Sequence, residues 1–216
     1  MSGLALDAVT VRLAGRALFA PVSLTVPPGG VATILGPSGV GKSSLLAHVG
    51  GHLAPPLTGA GQVTLDGLDV TGLPPERRRI GLLFQDAGLF PHLSVGGNLA
   101  FGLTPRLRGR AARRAAVAAA LDRAGLPGIE GRDPATLSGG ERLRVALMRT
   151  QLAGPAAVLL DEPFAALDPG TREGIRRFTL DHLADAGIPA LMVTHDAGDA
   201  AAAGGAVIRL APQPSE

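Results

Sequence analysis

Between a short, largely apolar run, Val31 to Leu35, and a stretch predicted helical from near Lys42 to Gly50–Gly51, the chain reads Gly36-Pro37-Ser38-Gly39-Val40-Gly41-Lys42-Ser43. The run fits G-x-x-x-x-G-K-[ST] without a mismatch, in the strand–loop–helix setting that gives the pattern its meaning. Glycines let backbone N–H groups converge on phosphate oxygens, and the start of the helix adds positive potential. In this reading Lys42 bridges the β- and γ-phosphates of a nucleotide, and the Ser43 hydroxyl ligates Mg²⁺. Ser44 hydrogen-bonds the α-phosphate. A chain carrying this loop is expected to build a sheet with a buried strand leading into it.

Composition supports the reading at one point. Lys42 is the only lysine among 20 Lys and Arg residues. A chain that uses arginine everywhere else keeps a compact ammonium at one site. The bulk arginine content reads as compositional bias, because net charge is only +2 and aromatic residues make up 3%. No nucleic-acid partner is expected on that footing. Cysteine is absent, which excludes disulfides and Cys-ligated zinc. The N-terminus lacks the pattern of a signal peptide, and no apolar run approaches the roughly 20 residues of a membrane span.

The 216 residues suit one α/β domain, or one core with a small lobe. Leu4 to Leu13 and Val22 to Val26 read as strands of an N-terminal antiparallel layer. His52 to Gly61 reads as a Pro/Gly-rich loop, followed by a hairpin of Gln62 to Leu65 and the Asp66-Gly67 turn. From about Ala87 the character changes to helix, with segments at Arg110–Ala124 and Gly139–Leu152. Ala157 to Leu160, Ile188 to Val193 and Ala206 to Leu210 read as further buried strands. Pro169 to Ala186 reads as a helix with Asp168 as N-cap. Ala200 to Gly205 offers poor support for a helix.

Val158-Leu159-Leu160-Asp161-Glu162 is an apolar strand ending in two acids. Acids at the carboxyl end of a parallel strand lie where ligands bind. Asp161 is expected in the Mg²⁺ shell and Glu162 as general base on the attacking water. A phosphate loop plus these acids describes a P-loop nucleotide hydrolase.

Further residues narrow the family. Leu137-Ser138-Gly139-Gly140-Glu141 resembles the signature motif of the ATP-binding cassette (ABC) ATPases, with Glu141 where Gln is common. Gln85 in Leu82-Leu83-Phe84-Gln85-Asp86 resembles their Q-loop glutamine, which reaches Mg²⁺. Ala166-Leu167-Asp168 resembles their D-loop, and His195 in Val193-Thr194-His195-Asp196 their switch histidine. The resemblance covers the whole chain and implies an α/β fold: a P-loop NTPase (RecA-like) core of about 1–86 and 155–216, an N-terminal antiparallel β layer, and an inserted helical subdomain of about 87–154. It implies ATP and Mg²⁺ as ligands. Lys42, Glu162 and His195 take catalytic roles, and Ser43, Gln85 and Asp161 face the metal. Ser138, Gly139 and Gly140 would close on the γ-phosphate held by a second copy in a head-to-tail homodimer. Leu13 stands where the family often stacks an aromatic on adenine.

Pro75 to Gly81 and Leu89 to Val95 resemble importer ATPases for thiamine, iron(III), sulfate, molybdate and polyamines. The wording Asp133-Pro134-Ala135-Thr136-Leu137-Ser138-Gly139-Gly140 is most like that of uncharacterised importer ATPases in this group. The resemblance implies integral-membrane permease subunits as partners, indirectly a solute-binding protein, and a cytoplasmic position on the inner face of the cell membrane. Phe90, Leu93, Val95 and Leu99 could bury a coupling helix of such a permease. Because the chain stops soon after Leu210, no C-terminal regulatory domain is expected. Alternatives are an exporter or lipoprotein-release ATPase, or an ABC ATPase acting on DNA or ribosomes. Residues alone do not name a transported solute.

Overall fold

The computed structural model describes residues 3–104 and 107–211. Among them run β1 (Leu4–Leu13), β2 (Arg16–Ala17), β3 (Val22–Val26), β4 (Val31–Leu35), α1 (Lys42–Gly50), β5 (Leu57–Leu65), β6 (Leu68–Asp69), α2 (Pro75–Arg78) and β7 (Ile80–Leu83). There follow α3 (Val95–Gly102), α4 (Arg110–Arg123), α5 (Gly139–Leu152), β8 (Ala157–Asp161), α6 (Pro169–Asp185), β9 (Ala190–Thr194), α7 (Ala197–Ala203) and β10 (Val207–Arg209). No helix among the described residues is long and apolar enough to cross a membrane. The chain divides into two compact units. One comprises the residues up to Leu82, Ala156–Glu162 and those from Leu180 onward, and the other Leu83–Pro155 and Pro163–Thr179.

The first unit holds two sheets. In the antiparallel one, β1 pairs with β2, β3 and β5, and β5 with β6. Asp66 and Gly67 both take left-handed φ, 51° and 81°, between the paired Leu65 and Leu68. That is the geometry an Asp-Gly hairpin turn requires. The segment Leu57 to Gly61, expected as loop, is strand. Its residues pair with Thr10 to Leu13 of β1, so a partner distant in sequence overrides a loop-like local composition.

The second sheet runs β10-β4-β9-β8-β7, with β10, β4, β9 and β8 parallel. Strands β4 and β9 are buried at every residue. This is why both read as largely apolar runs without alternation, each with one buried threonine. Helix α1 packs on β8 and β9, and the core between them closes on Phe19, Ile34, Leu45, Leu159 and Leu191. Leu35 sits level with Thr194, and Val193 with Asp161. The carboxyl ends of three adjacent strands therefore finish at one edge, where α/β sheets bind ligands. The α/β fold with an N-terminal antiparallel layer is thus as expected.

The tract expected to support helix poorly is helical as α7. Asp196 caps it, its carboxylate accepting from the N–H groups of Gly198 at 2.7 Å and Asp199 at 3.0 Å, and Gly204 ends it in the left-handed conformation. Caps at both ends compensate for a short alanine-rich body.

In the second unit α3, α4 and α5 pack pairwise, burying Leu99, Leu121, Leu147 and Met148 completely. Asp168 caps α6 as expected, accepting from the Thr171 N–H at 3.0 Å.

Candidate functional site

The loop 36–41 connects β4 to α1. Helix α1 begins at Lys42 with Gly41 as N-cap, no side-chain cap and no acid in its first turn. Its first amides are thus left to the loop, as an anion site needs. Gly41 has φ 102°, and a Cβ there would lie 3.0 Å from the Phe19 ring. Only glycine meets both demands.

Lys42 is 5% exposed. Its ammonium donates to the carbonyls of Gly36 at 2.9 Å and Pro37 at 3.1 Å, and pairs with Glu162 Oε1 at 3.2 Å. Three N–H directions meet three acceptors in a confined space, a task for a compact ammonium rather than a planar guanidinium. Ser43 Oγ donates to Asp161 Oδ1 at 3.1 Å. Ser43 is exposed and Ser44, one residue on, half-buried.

Glu162 leaves β8 with a left-handed φ of 46° while its N–H donates to the Val193 carbonyl at 2.9 Å. Such a backbone in a non-glycine residue is costly and clusters at functional sites. The turn aims the carboxylate back at its neighbours: Oε1 meets Lys42 and Oε2 meets His195 Nδ1 at 2.8 Å. His195 itself is placed by its flanks. Thr194 Oγ1 accepts from the Asp196 N–H at 3.0 Å and donates to Asp199 Oδ2 at 3.3 Å.

The two acids sit in opposite electrostatic settings. Burial pushes the Asp161 carboxyl above the usual range, and the nearby Glu162 charge adds to this against the Ser43 hydrogen bond and Lys42. Burial also works against the charge on Glu162. Hydrogen bonds from Lys42 and His195 outweigh it and hold that carboxyl below its ordinary value.

Mg²⁺ suits these residues by their donor chemistry. No cluster of three or more His, Cys, Asp or Glu that could hold a metal occurs among the described residues. A hydroxyl beside one carboxylate is instead the hard-oxygen pair that Mg²⁺ takes together with substrate phosphates and water.

Leu13 is 44% exposed and lines a cleft of about 430 Å³ with Pro37 to Val40 of the phosphate loop. The first unit thus brings together Leu13, the phosphate loop, Lys42, Ser43, Asp161, Glu162 and His195.

Gln85 and Ser138 to Gly140 lie in the second unit. Ser138 is exposed and caps α5: its Oγ accepts from the Glu141 N–H at 3.3 Å, and Glu141 Oε2 accepts from the Ser138 N–H at 2.7 Å. Glu in place of Gln completes this capping box, which holds the Glu141 carboxyl below its ordinary value. A Cβ on Gly140 would lie 3.0 Å from Ile175 and Thr171, so close packing on α6 requires glycine. Gln85, Gly139 and Leu167 line one cleft of about 330 Å³ with Asp86 and Arg142.

Of the four residues expected to receive a permease helix, Val95 and Leu99 are fully buried. They belong to the core of the helical unit and cannot contact a partner. Phe90 and Leu93 are partly exposed. Phe101 and Phe84, which the sequence reading passed over, are 69% and 48% exposed. Phe101 meets Phe90 edge-on at 4.7 Å. An apolar residue at the end of a helix gives no sign in sequence of which way it faces.

Comparison with known proteins adds a separate line. The ABC transporter family profile matches residues 19–165. The chain is 46% identical over 191 residues to the uncharacterized ABC transporter ATP-binding protein YnjD of Escherichia coli, covering 88% of each. It is 47% identical over 199 residues to the Fe(3+) ions import ATP-binding protein FbpC of Streptomyces coelicolor, spanning 91% of this chain and 56% of that one. Over 167 residues it is 45% identical to the thiamine import ATP-binding protein ThiQ of Cereibacter sphaeroides, covering 77% and 71%.

Proposed function

Because the chain belongs to the ABC transporter family, we propose that it is the ATP-hydrolysing subunit of a bacterial importer whose membrane-spanning permease is made of separate chains. The observation that carries the enzymatic part is the convergence of Lys42 and His195 on the two oxygens of Glu162, beside a phosphate loop. Likeness at 45–47% identity to two ATP-binding proteins named for import supports the direction of transport.

In this reading phosphate oxygens arriving at the loop compete with Glu162 for the Lys42 ammonium. Amides at the start of α1 and Lys42 then hold the terminal phosphates. Glu162 keeps its bond to His195 and accepts a proton from the attacking water, while His195 orients that water. The water oxygen bonds to the γ-phosphorus, the bond to the β-phosphate oxygen breaks, and ADP and phosphate result. Ser43 and Asp161 would hold Mg²⁺, with Gln85 as a further group facing it. The ion supplies charge neutralisation at the phosphates.

Ser138 to Gly140 of a second copy complete each site, so two copies close head-to-tail around two nucleotides. Phe84, Phe90, Leu93 and Phe101 present the apolar surface that a permease coupling helix would cover. The subunit would then sit at the cytoplasmic face of the membrane through that contact, with a solute-binding protein as an indirect partner.

Phosphate release from ATP and Mg²⁺ tests the assignment. Glu162→Gln should lower kcat by about 10²–10⁴-fold with nucleotide binding retained, the range a positioned base contributes. Lys42→Arg should be about as inactive as Lys42→Ala, since the pocket takes no planar fork. Near-normal turnover in either Lys42 variant would refute the role given to that residue.

A further inference from the structure

A nucleoside triphosphate gripped at Lys42 has a base to place, and the cleft beside the phosphate loop shows what would receive it. Ala14 and Gly15 both take left-handed φ, 50° and 83°, in a two-residue turn. The turn sets Leu13 directly opposite Arg16 in the β1–β2 pairing. Residues opposite each other on paired strands project to the same face, and both line the cleft, with Leu18 and Pro37 to Val40 as its other walls. The chain has no Tyr and no Trp. The nearest phenylalanine along the chain, Phe19, is fully buried against Gly41 and is not available to stack. The flat surface in this cleft is therefore a guanidinium.

We propose that Arg16 is the platform on which the base stacks, with Leu13 covering the remaining apolar edge. This rests on the reading of the neighbouring loop as a triphosphate site. Stacking on a guanidinium plane needs only the π-face that every base has. Besides Arg16, Ser38 is the lining side chain with a hydrogen-bonding group, and a hydroxyl both donates and accepts, so it meets an exocyclic amine or a carbonyl alike. Arg16 thus sets affinity for the base without choosing between adenine and guanine, and the enzyme accepts both purine triphosphates. Lysine does not substitute, because it offers charge without a plane.

Calorimetric titration of the full chain with ATP, GTP and inorganic tripolyphosphate, each with Mg²⁺, tests this. Wild type should bind ATP and GTP within about threefold of each other. Arg16→Ala should weaken both by roughly five- to tenfold, the scale of a base stack on a cationic plane. Arg16→Lys should recover little of that, and tripolyphosphate, which has no base, should bind all three proteins equally. Arg16 is exposed at a hairpin tip, and coincident thermal melts would show that the variants fold. An unchanged affinity for ATP in Arg16→Ala, an equal loss for tripolyphosphate, full rescue by lysine, or a larger gap between ATP and GTP would each overturn the proposal. A wild type that binds neither ATP nor tripolyphosphate would instead sink the triphosphate reading on which it rests.

Discussion

Glu162 concentrates the chemistry of the first unit. Its backbone is left-handed, its carboxylate is largely buried, and its two oxygens are committed to Lys42 and His195. A carboxylate whose folded pKa lies below the unfolded value stabilises the fold fully above about pH 4.3. It loses that contribution as pH falls through the folded value. Asp161 runs the other way: held above its usual range by burial, it costs stability once ionised and ceases to do so on acidification. Glu162→Gln removes the first effect and only the smaller, Glu162-derived part of the second, whose largest cause is burial. The variant should therefore be less stable than wild type by about 1–2 kcal/mol at pH 7, the scale of a charge-assisted hydrogen bond. The gap should close as pH falls through the lowered folded value, where wild type too takes up a proton on that side chain. Thermal unfolding of both proteins from pH 7 to 3 measures this, and a gap independent of pH would contradict it. The identities of Lys42, Ser43, Asp161 and Glu162 were legible because each sits at a fixed offset from a strand end. That Glu162 joins Lys42 to His195 was not, because the three residues belong to segments paired only through the sheet.

Helix α5 joins the capped Ser138 at its start to Arg149 near its end. The Arg149 guanidinium donates to the carbonyls of Gly88 at 2.8 Å and Ala87 at 3.2 Å, reaches Asn98 Oδ1 at 3.4 Å, and lies over the Phe90 ring at 5.2 Å. Asn98, fully buried, binds the same segment through the N–H and carbonyl of Phe90 and the carbonyls of Leu93 and Ser94. A stretch without regular structure is thereby fixed from two helices. Arg149→Gln should destabilise the protein by about 2–3 kcal/mol, the range for hydrogen bonds to a charged donor. It should also speed amide exchange selectively over residues 87–93. Lysine should not restore protection, since an ammonium lacks the plane that reaches both carbonyls and Asn98 while lying over the Phe90 ring. Uniform acceleration over the whole helical unit would contradict this role. The position of α5 was readable from composition and its Ser138 cap, whereas α3 was not assigned from sequence. The ties were not readable, because an arginine in an arginine-rich chain carries no local mark of what it holds. Strand β5 failed for the same reason: Leu57 to Gly61 looks like loop until β1 lies beside it. Helix α7 was misjudged on its alanines, although Asp196 and Gly204 marked both of its ends.

At the scale of the molecule, the first unit carries the loop 36–41 and the cluster of Lys42, Asp161, Glu162 and His195, and the second carries the Ser138 cap and the apolar surface around Phe90 and Phe101. The α/β class was legible in the largely apolar runs that became β4, β8 and β9, whereas β10, expected as a further buried strand, is mostly exposed and carries Arg209. How the chain partitions depends on contacts that no segment records by itself. The claim on which the functional account depends is that one copy holds the triphosphate and a second copy closes over it. Light scattering coupled to size exclusion, on Glu162→Gln with ATP and Mg²⁺, tests that claim most directly. The account predicts a doubling of the 21.7 kDa mass that needs ATP, fails with ADP, and disappears when Ser138 is replaced by a bulky residue. A mass that stays at one chain while ATP is bound would contradict it.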